Sequence, residues 1–358
     1  MKVIIKIIST ILSGIMLLSI SACSKTNSAI DLSYFNTSIH IETHDSTIQE
    51  STLDDLNAMF ARLENSFDIS NPTSLTAKFN SANIGESFTL SSDESEVLMR
   101  AKSSYILSDG KFNPAVYPLT QLWQFVEFPV SNFTLPSADQ INACKAKVSF
   151  DDAAFNLSDG TLVKKDQIKL DFGGIVKGYA ADLAAKILVR DGHEKGYVNV
   201  GGSSLNLLGV ESLSVRHPRP SLDNYTIISI DTESLENVSV STSGDYEKYY
   251  TLNGKKYCHI IDAESGYPTD TGVASVTLIG IDGAISDALT TAACIYSHTP
   301  EDIDTSPLTA FIKKIIAAYP DCLVFAVYDK DDIKQIITNA DSDSFTILDK
   351  AYDIKYFN

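Results

Sequence analysis

Eight short runs rich in Val, Ile, Tyr and Thr are scattered among five segments of helical periodicity, and their irregular order is what most constrains the fold. The runs are TSIHIET, IKLDF, YVNVG, SLNLLG, YTIISID, KYCHIID, VASVTLIG and CLVFAVY. The helical segments are residues 52–67, 94–107, 177–190, 285–298 and 308–318. The first carries Leu53, Leu56, Met59, Phe60, Leu63 and Phe67 on one face, and Asp109-Gly110, Asp191-Gly192 and Pro320 supply stop signals for others. Strict βαβ alternation, which a doubly wound parallel sheet requires, is missing. The expectation is an α+β fold with largely antiparallel sheets and packed helices, in a single catalytic domain.

With 44% hydrophobic and 9% aromatic residues, the 358-residue chain can bury a large core. Its net charge of −18 argues against nucleic acid or an anionic membrane surface as a partner, so a bound anion needs a local cation. Residues 1–22 have the form of an export leader: Lys2 and Lys6, an apolar run to Ile20, then ISAC ending at Cys23. That ending resembles a bacterial lipobox, which implies a lipoprotein signal peptide (1–22), a lipidated Cys23, a polar tether (23–33) and a domain over 34–358. An uncleaved membrane anchor is the alternative, and either way the body of the chain is expected outside the cytoplasm. Cys144, Cys258, Cys294 and Cys322 show no metal-binding spacing and are expected mostly as buried thiols.

Four stretches can carry chemistry. In LDFGGIVKGYAAD the pair Gly173-Gly174 precedes a helix starting near Lys177, so backbone N–H groups and an ammonium can meet an anion there. A tight strand-to-helix turn explains the same residues. VNVGGSSLNLLG opens another run onto Gly201-Gly202, suited to close ligand approach or to a sharp turn. STSGDYEKYY is followed by KYCHIIDAESGYP, where His259 lies in an alternating run three residues before Asp262; histidine suits proton transfer, though a lone one is often structural. ISDALTTAACIYS is a nearly apolar helix with Asp287 and Thr291 four apart on one face. They offer hard oxygen ligands for Mg²⁺, or merely a helix cap and a back-bonded hydroxyl.

Taken in order, LDFGGIVKGYAAD, VNVGGSSLNLLG, STSGDYEKYY, HIIDAESGYP and ISDALTTA resemble the ApbE-type FAD:protein FMN transferases. The resemblance runs from about Thr37 to the C-terminal strands. It implies FAD as substrate, Mg²⁺ as cofactor, FMN transfer through a phosphoester to a Thr or Ser hydroxyl of an exported acceptor protein, and release of AMP. It also implies roles by position. Asp287, Thr291 and the backbone of Gly174 match the metal site, and His259 the proton-transfer position, with Asp262 or Asp245 as orienters. Gly173, Gly174, Lys177, Gly201, Gly202, Ser243, Gly244, Asp245 and Glu247 fall where flavin nucleotide is held, with Asn80 in SLTAKFN near the FAD and Lys177 supporting the phosphates. The N-terminal third departs from the pattern, with FNT at residues 35–37 and FNPAVYPL at 112–119. Rival readings are a Mg²⁺-dependent FAD pyrophosphatase, with water as acceptor, and a non-catalytic flavin-binding lipoprotein.

Overall fold

Residues 27–357, apart from 152–159, 211, 222–223 and 233–236, are described by the computed structural model of the chain. The leader and Cys23 lie outside the described residues. Nine strands form one sheet, and their order across it is their order along the chain. They are β1 Ser28–Tyr34, β2 Thr37–Thr43, β3 Gly196–Val200, β4 Ser204–Leu208, β5 Val238–Gly244, β6 Val273–Ile279, β7 Leu323–Lys330, β8 Ile333–Thr338 and β9 Asp353–Tyr356. Neighbours pair antiparallel throughout, except β8 with β9, which run parallel. The five expected helices are present as α1 Glu50–Phe67, α2 Ser92–Leu107, α3 Val176–Arg190, α4 Gly283–Ile295 and α5 Pro307–Ala318. This is the expected α+β architecture.

Alternation along the strands sorts side chains to two faces. On one face Ile39, Ile41, Val198, Val200, Val276 and Leu278 join the core made with helical residues such as Phe60, Leu63, Ala184 and Leu289. On the other, Leu205, Leu207, Val240, Phe325 and Val327 meet a smaller sheet formed by Ser212–Ser221, Asn224–Asp231 and Phe345–Ile347. A third apolar cluster, with Trp123, Phe125, Phe133 and Tyr250, lies beside the hairpin Tyr249–Leu252/Lys255–Cys258.

Two expectations need correction. Residues 28–33 belong to β1 rather than to a tether, because Ile30 and Leu32 pack on the core while their backbone pairs with β2. The run IKLDF joins no sheet. Its backbone is held instead by a side chain: Asn80 Nδ2 donates to Leu170 O at 2.8 Å and Leu170 N donates to Asn80 Oδ1 at 2.6 Å. One carboxamide thus does the work of a neighbouring strand, which no periodicity can reveal.

The helix α4 is almost wholly buried, with Ala284, Ala288, Ala292 and Ala293 letting it lie close to its neighbours. Its N-terminus crosses α3 at Gly283 and Gly178. A Cβ on Gly178 would fall 1.9 Å from the Gly283 carbonyl oxygen, so only glycine permits this approach. Asp182, one turn along α3, accepts from Gly283 N at 2.7 Å and from Ser239 Oγ at 2.5 Å. Helix, helix and sheet are thereby tied at one buried carboxylate. Gly178→Ala is expected to cost about 3 kcal/mol of stability by forcing the helices apart, measured by denaturant unfolding; an unchanged midpoint would show that the crossing yields freely.

Candidate active site

The crossing delivers the second turn of α4 to the first turn of α3. Asp287 is 2% exposed. Its carboxylate is not the helix cap, a role taken by Asp282, whose Oδ1 accepts from Ile285 N at 3.2 Å. Among the described residues Asp287 is met through Oδ2 alone, by Lys177 Nζ and by Gly178 N, each at 3.3 Å. Both contacts are long for a buried carboxylate, whose desolvation calls for a close cation or several short hydrogen bonds.

Thr291 stands one turn on, donating to the Asp287 carbonyl at 3.1 Å. Its Oγ1 also lies 3.1 Å from Ser243 Oγ, at the end of β5, and Ser243 meets Thr290 Oγ1 at 2.9 Å. Across from Thr291 is the turn before α3. A Cβ on Gly174 would lie 3.6 Å from Thr291 Oγ1, and the Gly173 carbonyl accepts from Lys177 Nζ at 2.6 Å. Lys177 Nζ thus links the Asp287 carboxylate to the Gly173 carbonyl, and the Thr291 hydroxyl lies beside the same turn. Carboxylate, hydroxyl and carbonyl are all hard oxygen donors, and the lysine ammonium bridging Gly173 O and Asp287 Oδ2 shows that the spot favours positive charge. The residues fit Mg²⁺. Among the described residues no three His, Cys, Asp or Glu side chains converge as a metal cage, so a cation here would draw further ligands from water and substrate.

His259 sits in the bend between Lys255–Cys258 and Ile261–Asp262 rather than within a strand. Its N–H donates to Lys248 O at 3.0 Å, and its ring meets Phe125 edge-on. Its Nδ1 is buried and has no hydrogen-bond partner among the described residues. Burial first, then the charges of Lys248 and Lys177, lower its pKa to about 4, so the free ring is neutral at physiological pH.

Comparison with known proteins settles the family. The ApbE family matches residues 35–302. A Klebsiella pneumoniae protein named FAD:protein FMN transferase is 31% identical over 254 residues, 67% of this chain and 76% of that one. A Haemophilus influenzae protein of the same name is 26% identical over 80% of this chain and 86% of its own. Among solved structures, the ApbE protein from Thermotoga maritima superposes with a TM-score of 0.71 at 26% identity, covering 85% of this chain and 94% of that one. The flavin transferase ApbE from Vibrio cholerae shares the fold, with a TM-score of 0.73 at 21% identity over 89% and 98% of the two chains. The chain belongs to the ApbE family. It is accordingly a transferase enzyme that acts on flavin.

Within this ApbE site the structure groups Gly173, Gly174, Lys177, Ser243, Asp287 and Thr291. His259 is close enough for the charge on Lys177 to act on it. Neither proposed orienter hydrogen-bonds to His259, although the charge of Asp245 reaches it. Asp262 is paired with Lys111 Nζ at 3.1 Å and caps the turn through Glu264 N and Ser265 N. Asp245 forms a two-pronged pair with Arg219 at 2.7 and 2.8 Å, and Lys256 adds a third contact. Glu247 is held by Arg216. Gly201 and Gly202 adopt φ of 67° and 73° in the β3–β4 turn, a conformation that favours glycine whether or not a ligand approaches. Gly244 packs under Tyr246.

Sequence reasoning overlooked Asp182, although it closes the quoted stretch at helical spacing from Gly178. It also passed over Asp171, whose Oδ1 accepts from Gly173 N at 2.8 Å and so shapes the turn. Burial holds the carboxyls of both above their usual range. The four cysteines among the described residues are free, with Cys258, Cys294 and Cys322 buried as expected.

A native pKa below the unfolded value means that protonating His259 favours unfolding, so its contribution to stability is present above pH 6.5 and is lost as pH falls toward 4. NMR of the ligand-free imidazole is expected to show titration near pH 4, and His259→Gln to shrink the acid loss of stability in that window. Titration near 6.5 would contradict the enclosure of the ring.

Proposed function

We propose that this chain transfers FMN from FAD to a threonine or serine hydroxyl of an exported acceptor protein, releasing AMP, with Mg²⁺ at Asp287, Thr291 and the Gly173-Gly174 turn. The observation that carries this reading is the buried, under-partnered Asp287 carboxylate facing Thr291 and a glycine turn whose carbonyl already holds an ammonium. Storage of a flavin nucleotide needs no such arrangement, and the names of the relatives support transfer.

In this reaction the acceptor oxygen bonds to the phosphorus of the FMN moiety. The pyrophosphate P–O bond breaks, and AMP departs with the bridging oxygen and its electron pair. When bound, Mg²⁺ supplies charge neutralisation for the phosphates and the leaving oxygen. Lys177, in reach of both Asp287 and Gly173, adds positive charge beside the phosphates. Neutral His259 takes the proton from the acceptor hydroxyl, and the anionic phosphates offset the lysine charges that depress its basicity in the free protein. Asp262 and Asp245 act at a distance, fixing the turn after His259 and the loop after β5. Export and attachment through lipid on Cys23 place the acceptor outside the cytoplasm, on a protein of a membrane or envelope assembly.

Mixing the protein with FAD, Mg²⁺ and an acceptor is expected to add the mass of FMN to a threonine or serine, read by peptide mass spectrometry. Asp287→Ala should lower the rate at least a hundredfold, comparable to losing a major electrostatic contributor. Free FMN and AMP without acceptor modification would mark a pyrophosphatase, and FAD binding without AMP release a storage protein. Either result would overturn the transfer reading.

A further inference from the structure

Lys164 is 2% exposed, yet among the described residues it forms no ion pair, Glu86 acting on it only through its charge. Its ammonium donates instead to Phe79 O at 2.9 Å and Asn80 O at 3.3 Å, the last carbonyls of the short helix Leu75–Ser81, and lies 5.3 Å from the centre of the Phe79 ring. Helix-end carbonyls carry partial negative charge, and a cation there satisfies acceptors the helix leaves open. Burying an ammonium is costly, and apolar contact plus a surface lysine would stabilise the fold equally well. Lys164 is itself fixed by main-chain bonds, its N–H to Glu86 O at 3.0 Å and its carbonyl from Gly85 N at 2.7 Å.

What the ammonium fixes is the backbone of Asn80, whose side chain replaces the missing strand partner of residues 168–172. From Leu170 the chain passes through Asp171, which bonds Pro114 O through its N–H at 2.8 Å, directly into the Gly173-Gly174 turn. We infer that Lys164 is a positioning residue for the transfer reaction, acting through Asn80 and Leu170 to hold the glycine turn against Thr291. This inference rests on the reading of the turn as part of the phosphate site, but the mechanical link can be tested without it.

Hydrogen exchange on the ligand-free protein isolates that link. Lys164→Met is expected to speed exchange at the Leu170 and Gly173 amides about tenfold while leaving α4 amides unchanged. In an Asn80→Ala background, where the clamp is already gone, the same substitution should add less than a twofold change. With FAD, Mg²⁺ and the acceptor protein, Lys164→Met should lower kcat for AMP release about tenfold with the FAD dissociation constant changed less than threefold, and again do little after Asn80→Ala. Should Lys164→Met fail to fold by circular dichroism, Lys164→Gln is carried through the same cycle. Equal effects in both backgrounds, or unchanged Leu170 exchange, overturns the inference. Faster Leu170 exchange in Lys164→Met, together with a wild-type protein that releases no AMP in the presence of acceptor, would leave the clamp standing and reject the functional reading instead.

Discussion

The contact between Gly178 and Gly283 governs the site. Without side chains at these two positions, α3 and α4 approach to backbone distance, and the Asp182 carboxylate seals the crossing by accepting from Gly283 N. Everything chemical then follows by helical geometry. Four residues beyond Gly283, Asp287 meets the N–H of Gly178, and Thr291 comes one turn later against the Gly174 turn. A wider crossing would leave Asp287 buried with neither N–H nor ammonium beside it, an arrangement whose desolvation cost would be uncompensated.

Electrostatics at this point run against the composition of the chain. A protein of net charge −18 that handles a dinucleotide must set positive potential locally, and Lys177 and Lys248 converge toward His259 to do so. Burial, reinforced by these two charges, keeps the imidazole neutral before substrate arrives. Asp245 and Asp262 are held in ion pairs with Arg219, Lys256 and Lys111, so these acids shape loops, and Asp245 acts on the histidine only through its charge.

Much of this was legible in the chain. Helical periodicity located all five long helices, and alternation located seven of the eight strand runs in whole or part. The exception, IKLDF, has strand composition but pairs with an amide side chain from 90 residues away. The i, i+4 pair Asp287 and Thr291 was visible because helix geometry alone puts the two on one face. The roles of Asp182 and Lys164 were not, since a buried charge and an exposed one look alike in sequence until the tertiary partners are known. For the same reason Asp262, three residues from His259, read as its orienter although the turn directs its carboxylate to Lys111.

The Asp287–Thr291 turn is proposed to hold a divalent cation against the pyrophosphate of FAD. Electron–nuclear double resonance on Mn²⁺ substituted for Mg²⁺, with FAD bound, addresses it most directly. The account predicts one tightly held ion with phosphorus-31 coupling, and loss of that coupling in Asp287→Asn. Phosphorus coupling that survives the substitution, or an ion bound far from phosphorus, would contradict it.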